Sequence, residues 1–212
     1  KGIGEIYSYG TNHADITGVT EQASPFLKVN ITRGSSAGSI QTKLTGDYNL
    51  PNVLAAVCLG SYFKVDPVLI RKGIENYEPS NSRSQLIQKG SIFIVLDAYN
   101  ANPSSMKLAI ENFVHFPAAN KILLLGAMME LGPDSLAEHR QIVQQIEKNQ
   151  WKEVALVGGD FLKIKHPYRS FTNADEAGAW IASQTFGNTA ILVKGSRSMQ
   201  MEKTIQSLVK EP

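Results

Sequence analysis

The sequence predicts an α/β protein: beyond about residue 79 a mostly parallel sheet with helices on both faces, preceded over residues 1–78 by hairpin strands and two helices. Three observations predict this. Apolar runs and helical stripes alternate with regularity from residue 85 to the end, the pattern of a sheet covered on two sides. The run at 92–96, Ile-Phe-Ile-Val-Leu, has no polar alternation, as expected of a strand buried on both faces. Before residue 79 the runs are shorter, and two helical stripes follow them.

Taken in order, residues 6–45 hold short β-like runs, notably 26–31 and 39–44, separated by Gly34-Ser35-Ser36-Ala37-Gly38, which is turn chemistry and so hairpin material. Helical periodicity begins after Gly46, with Leu50, Val53, Leu54, Val57 and Tyr62 assigned to one stripe. A second short helix opens at Asp66-Pro67 and carries Leu69, Ile70, Gly73 and Ile74. The cluster Pro79-Ser80-Asn81-Ser82 then breaks the pattern, placing a domain junction near residue 79. Beyond it, strands are expected at 85–88, 92–96, 121–125, 154–157, 168–171 and 190–193. Helices fall between them. One starts at Pro103 behind Asn102 as N-cap. Another follows Pro133, where Ser135 and Glu138 match a capping box and Leu136, Ile142, Val143 and Ile146 supply an inner face. A third opens at Asn173 with Glu176 three residues on, burying Ala177, Trp180 and Ile181, and a last one from about Gln200 carries Met201, Ile205 and Leu208.

Composition excludes several classes. Lysine plus arginine (21) barely exceeds aspartate plus glutamate (19), so nothing in the net charge favours nucleic acid or an anionic membrane. The single cysteine, Cys58, lies in an apolar helical pattern, which excludes a disulfide framework and reads as a small buried filler in a reducing compartment. No apolar run approaches the roughly 20 residues that span a bilayer, and the opening KGIGEIYSYG has no signal-peptide core. The expected location is the cytoplasm.

Chemistry is expected where strands stop, because ligands of open α/β sheets bind beyond the carboxyl ends of the strands. The run at 92–96 ends at Asp97, followed by Tyr99, Asn100 and Asn102; this is either a ligand loop or an ordinary capped turn. The run at 190–193 leads into Lys194-Gly195-Ser196-Arg197-Ser198. Two cations, a hydroxyl and a glycine backbone suit a carboxylate or phosphate, and solvated charges on a turn are the alternative. Glu130 and Asp134 flank Gly132-Pro133 and are read as helix-entrance capping rather than a metal pair. His13, His115, His139 and His166 lack ligand spacing, so no metal is assigned. Gly158-Gly159-Asp160 is read as a turn, since no G-x-G-x-x-G exists, and no Gly is followed by Lys, so the phosphate loop of ATPases is missing.

Four segments together resemble the Mur ligases of peptidoglycan synthesis: GDYNLPNVLAA at 46–56, DAYNANPSSM at 97–106, LLGAMMELG at 124–132 with His139-Arg140 after it, and VKGSRS at 193–198. YNANP and KGSR resemble in particular the branch that joins D-alanyl-D-alanine to UDP-N-acetylmuramoyl-tripeptide. The resemblance implies an ATP-dependent amide-bond ligase that activates the tripeptide carboxylate as an acyl phosphate. It implies that residues 1–78 are the end of the central ATP-binding domain and 79–212 a Rossmann-like C-terminal domain. The phosphate loop and the ligands of Mg2+ would then lie in a preceding part, and this chain alone would be inactive. A monomer is expected. A binding module without chemistry, or a Mur ligase adding another amino acid, are the alternative readings.

Carried over by position, Asn52 resembles the asparagine that contacts adenine, Arg83 the linker arginine that reaches the nucleotide phosphates, and Asp97 the aspartate that accepts from ribose hydroxyls. Tyr99 and Asn100 are expected to line the ATP side and Asn102 the acceptor side. Lys194, Ser196 and Arg197 resemble the loop that binds the incoming dipeptide. No residue is assigned a catalytic role. The chain departs from the family pattern at Leu96, Ala127 and Ser104, where relatives commonly carry an acidic residue, and at Asp47-Tyr48, where an Arg or His usually precedes the asparagine.

Overall fold

The computed structural model describes residues 6–80 and 82–209. The chain divides into two compact units that part between Glu78 and Pro79; Asn81, within the expected junction cluster, lies outside the described residues.

The first unit holds a four-stranded sheet of β1 (Tyr9–Gly10), β2 (Ile16–Gln22), β3 (Lys28–Arg33) and β4 (Ser39–Gln41) in sequential order. β1 runs parallel to β2, and the other pairs are antiparallel. The expected hairpin is therefore present, but its second strand is shorter than the apolar run. Past Gln41 the ladder becomes irregular: the Thr42 amide and hydroxyl both donate to the Leu27 carbonyl, at 3.0 and 2.8 Å, and the hydroxyl accepts from the Leu44 amide. Gly34 begins the turn with φ +84°, and a Cβ there would sit 1.9 Å from the Asp15 carbonyl oxygen, so only glycine fits. Helices α1 (Leu50–Tyr62) and α2 (Pro67–Asn76) follow. Val53, Leu54, Val57 and Cys58 of α1 and Ile70 of α2 form one core with Ile16, Leu27, Val29, Ile31 and Ile40. Burial pushes the Cys58 thiol pKa up, which keeps it protonated and inert. Three assignments to the apolar faces fail: Tyr62, Leu69 and Gly73 are exposed. Tyr62 lies five residues past Val57, about 140° round the helix, and packs edge-on against Phe63 instead.

The second unit is a six-stranded sheet in the order β5-β6-β10-β7-β8-β9, formed by β5 (Gln85–Lys89), β6 (Ile92–Asp97), β7 (Asn120–Gly126), β8 (Glu153–Val157), β9 (Arg169–Phe171) and β10 (Thr189–Lys194). Among the described strands only β5, at one edge, runs antiparallel to its neighbour. Helices α3 (Pro103–Val114) and α4 (Ser135–Ile146) pack Met106, Ile110, Phe113, Ile142, Val143 and Ile146 on one face, against Val95, Leu123 and Leu192. Helix α5 (Ala174–Ala182) and the closing segment pack Ala177, Ile181, Met201 and Ile205 on the other, against Ile94, Leu96, Leu124 and Val193. Successive residues of each central strand thus serve opposite cores, which is why these runs do not alternate.

Three local readings need correction. Ser135 and Glu138 form no capping box, and neither does the Asp134 side chain cap α4. A 3-10 turn, Gly132–Asp134, runs straight into the helix, leaving Asp134 in the αR region rather than the extended N-cap geometry. The last helix is mostly a 3-10 segment, Met201–Ile205, followed by the short α6 (Gln206–Val209). Leu136 is only partly buried, and His139 takes the inner position instead. Among the described residues no helix is long and apolar enough to cross a membrane.

Candidate functional site

The second unit gathers its polar groups at the carboxyl edge of β6, β10 and β7. Lys194, the last residue of β10, is registered against Asp97 of β6 on one side and Leu125 of β7 on the other. β6 continues into α3 on one face of the sheet and β10 into the closing segment on the other. Connections that leave adjacent strands toward opposite faces mark the place where such sheets bind ligands.

Lys194 is 2% exposed, and its Nζ lies 2.6 Å from Asp97 Oδ2 and 3.3 Å from the Asn100 carbonyl oxygen. A charge so enclosed is tolerated because it is paired and hydrogen-bonded. The other Asp97 oxygen, Oδ1, accepts from the Ser84 amide at 3.2 Å. The Tyr99 amide donates to the Ser82 carbonyl, and the Arg83 guanidinium lies over the Tyr99 ring, 3.5 Å from its centroid. Segments 82–84 and 97–100 are thereby bound together, with Arg83 and Tyr99 both exposed. A guanidinium stacked on a ring keeps its edge available to an anion.

The remaining candidates divide by accessibility. Asn102 caps α3: its Oδ1 accepts from the Ser105 amide at 2.8 Å while Ser105 Oγ accepts from the Asn102 amide. Asn100 Oδ1 accepts from the Ala101 amide. Ser196 is buried, its amide donating to the Ala127 carbonyl and its hydroxyl 3.3 Å from that of Ser198. Arg197 is exposed and pairs with Glu202 at 3.0 Å. Asn52 belongs to the first unit, exposed on the first turn of α1, and its Nδ2 donates to Asn49 Oδ1. Asn49 is itself buried and donates to the Thr45 carbonyl, so the Asn52 amide is oriented by a fixed neighbour.

Two features escaped the sequence reading. Gly126, the last residue of β7, and Gly195, which opens the loop after β10, approach so closely that a Cβ on Gly195 would lie 3.0 Å from Gly126 Cα and 2.6 Å from Met201. His139 reaches from α4 to the loop after β7, its Nε2 accepting from the Met128 amide at 3.0 Å. Nearby, bonds from Lys163 and Ser135 hold the Asp160 carboxyl below the usual aspartate range. No set of three or more carboxylate, imidazole or thiolate groups is arranged to hold a metal ion among the described residues.

Comparison with known proteins gives these positions a family context. Residues 82–197 match the family described as Mur ligase, glutamate ligase domain. The UDP-N-acetylmuramoyl-tripeptide--D-alanyl-D-alanine ligase of Bacillus subtilis is 29% identical over 180 residues, covering 80% of this chain and 39% of the relative. The enzyme of the same name from Haemophilus influenzae is 32% identical over 200 residues, covering 89% and 42%. The chain therefore spans about two fifths of the length of these relatives. Among solved structures, a crystal structure of MurF from Acinetobacter baumannii superposes with a TM-score of 0.84 at 24% identity, covering 98% of this chain and 48% of that one. MurF ligase from Thermotoga maritima in complex with ADP gives 0.75 at 20% identity, covering 94% and 47%. At these identities the superpositions show a shared fold.

Proposed function

The chain belongs to the Mur ligase family, and on that premise we propose that residues 1–78 are the end of the central ATP-binding domain, and 79–212 the C-terminal domain, of the peptidoglycan ligase that joins D-alanyl-D-alanine to UDP-N-acetylmuramoyl-tripeptide. One observation carries the reading. The DAYNANP and KGSR segments, whose Asp97 and Lys194 are 97 residues apart in sequence, meet at adjacent strand ends through a 2.6 Å ion pair.

In the proposed reaction the tripeptide carboxylate attacks the γ-phosphorus of ATP, forming an acyl phosphate and releasing ADP. The amine of D-alanyl-D-alanine then attacks the acyl carbon, and the tetrahedral intermediate expels phosphate as the amine gives up a proton. The roles proposed here are positional. The Asn52 amide, donor and acceptor in one group, reads the adenine edge. Arg83, carried on the Tyr99 ring, offers its edge to the nucleotide phosphates. Asp97 keeps acceptor capacity for ribose hydroxyls, because each carboxylate oxygen takes more than one hydrogen bond. Tyr99 and Asn100 border the same loop, and Asn102 fixes the entrance of α3 beside it. On the dipeptide side, the exposed Arg197 is the group of its loop that a carboxylate reaches from solvent.

The test is phosphate release by the full-length protein that carries this chain. Release is expected to require ATP, UDP-N-acetylmuramoyl-tripeptide and D-alanyl-D-alanine together, and Asp97→Asn, which leaves Lys194 an acceptor while weakening the one offered to ribose, is expected to raise the KM for ATP about tenfold, the worth of one good hydrogen bond. Release driven by a single amino acid in place of the dipeptide would reassign the chain to another Mur ligase. No release with any acceptor would leave a binding module.

A further inference from the structure

The family resemblance places Lys194 in the dipeptide loop, but its surroundings tie it elsewhere. Its ammonium is closed off from solvent at 2% exposure and is held by Asp97 Oδ2 at 2.6 Å and the Asn100 carbonyl at 3.3 Å. Two of its three N–H donors are thus taken, and the enclosure lets a ligand carboxylate reach the ammonium only if the side chain swings outward, which leaves both acceptors and strands Asp97 without its counter-charge, a costly step for a pair so enclosed. Asp97 is more accessible, at 16%, and its Oδ1 already fixes the Ser84 amide. Both loops that reach the nucleotide side, 82–84 and 97–100, therefore converge on a carboxylate that Lys194 holds from below.

We infer that Lys194 is a positioning residue of the nucleotide half of the site: its ammonium fixes the Asp97 carboxylate and the Asn100 carbonyl, and it makes no contact with the dipeptide. The inference rests on the reading of Asp97 as the ribose acceptor and moves Lys194 within it. Arg197, three residues on and exposed, stays on the dipeptide side.

Two measurements test it. Lys194→Met keeps the length of the apolar stem and removes the charge. By amide hydrogen exchange on this chain, that variant is expected to speed exchange at Ser84 and across 98–101 by about tenfold or more, with α4 and β8 unchanged. Unchanged exchange at Ser84 overturns the inference, and so does acceleration spread evenly over the second unit, which marks a purely structural role. In the full-length ligase the same variant is expected to raise the KM for ATP about tenfold while the KM for D-alanyl-D-alanine changes less than about twofold. A rise confined to the dipeptide overturns the inference and leaves the ligase reading intact. Absence of dipeptide-dependent phosphate release in the unaltered enzyme defeats the ligase reading instead, and exchange at Ser84 then decides the positioning role alone. Should Lys194→Met fail to fold, Lys194→Gln keeps a donor without the charge, and the same two outcomes are expected at smaller amplitude.

Discussion

His139 does a structural task that no hydrophobic residue can take over. Its Nδ1–H donates to the Ser135 carbonyl one turn back at 2.7 Å, and its Nε2 accepts from the Met128 amide. These contacts assign the neutral Nδ1–H tautomer. The ring meets Phe161 edge-on, with centroids 4.6 Å apart, and is fully buried. His139→Leu would fill most of the volume but leave the Met128 amide without an acceptor inside the core, so a loss of about 1–3 kcal/mol is expected. Urea unfolding followed by circular dichroism measures it, and a midpoint equal to that of the parent would show the bond to be dispensable. The sequence contains the signal for burial, because His139, Ile142, Val143 and Ile146 follow the i, i+3, i+4, i+7 stripe. It contains no signal for the partner, because Met128 lies in a loop eleven residues away. The same limit applied to Lys194. Its place at a strand end was legible, while the acceptors that enclose it come from a strand and loop nearly a hundred residues earlier.

At the scale of elements, legibility followed the range of the interaction. Helix starts set by a few neighbouring residues were read from sequence: Asp66 caps α2 by accepting from the Val68 amide at 2.7 Å, and Asn102 and Asn173 cap α3 and α5. The start of α4 was misread because the 3-10 turn before it, a consequence of how the loop after β7 leaves the sheet, takes the place of a cap. Strand runs were found wherever both faces were apolar, and β4 came out shorter than its run, its regular register ending where the Thr42 amide and hydroxyl share the Leu27 carbonyl. The cap of α5 carries a pH dependence with a definite sign. The Thr172 hydroxyl and amide, and the Asn173 side chain, all donate to the Glu176 carboxylate, which holds its pKa below the ordinary glutamate value. Since the folded-state value is the lower one, the contribution is present above the ordinary range near about 4.3 and is lost as pH falls through the folded-state value. Glu176→Gln is therefore expected to be less stable than the parent at neutral pH, with the gap closing on acidification. Thermal melts of both proteins across pH 7 to 3 check this, and a gap independent of pH would rule it out.

At the scale of the whole molecule, alternation of strands and helices announced a parallel sheet, but not that β10 enters between β6 and β7. Strand order is fixed by crossovers and by which faces the helices cover, and those choices involve residues too far apart to leave a local pattern. The division between Glu78 and Pro79 has an energetic side as well. The second unit buries apolar clusters on both faces of its sheet, whereas the first has a single cluster between one sheet and two helices. Small units bury a lower fraction of their surface and are correspondingly marginal, and the short β1 leaves an edge with few ladder bonds. Limited proteolysis in rising urea is therefore expected to digest the segment before Pro79 first. The surviving fragment should begin near residues 79–84 and still unfold in one cooperative step by circular dichroism. Loss of the second unit while residues before Pro79 persist would reverse this order of stability, and would mean that the single core of the first unit outweighs the two that flank the six-stranded sheet.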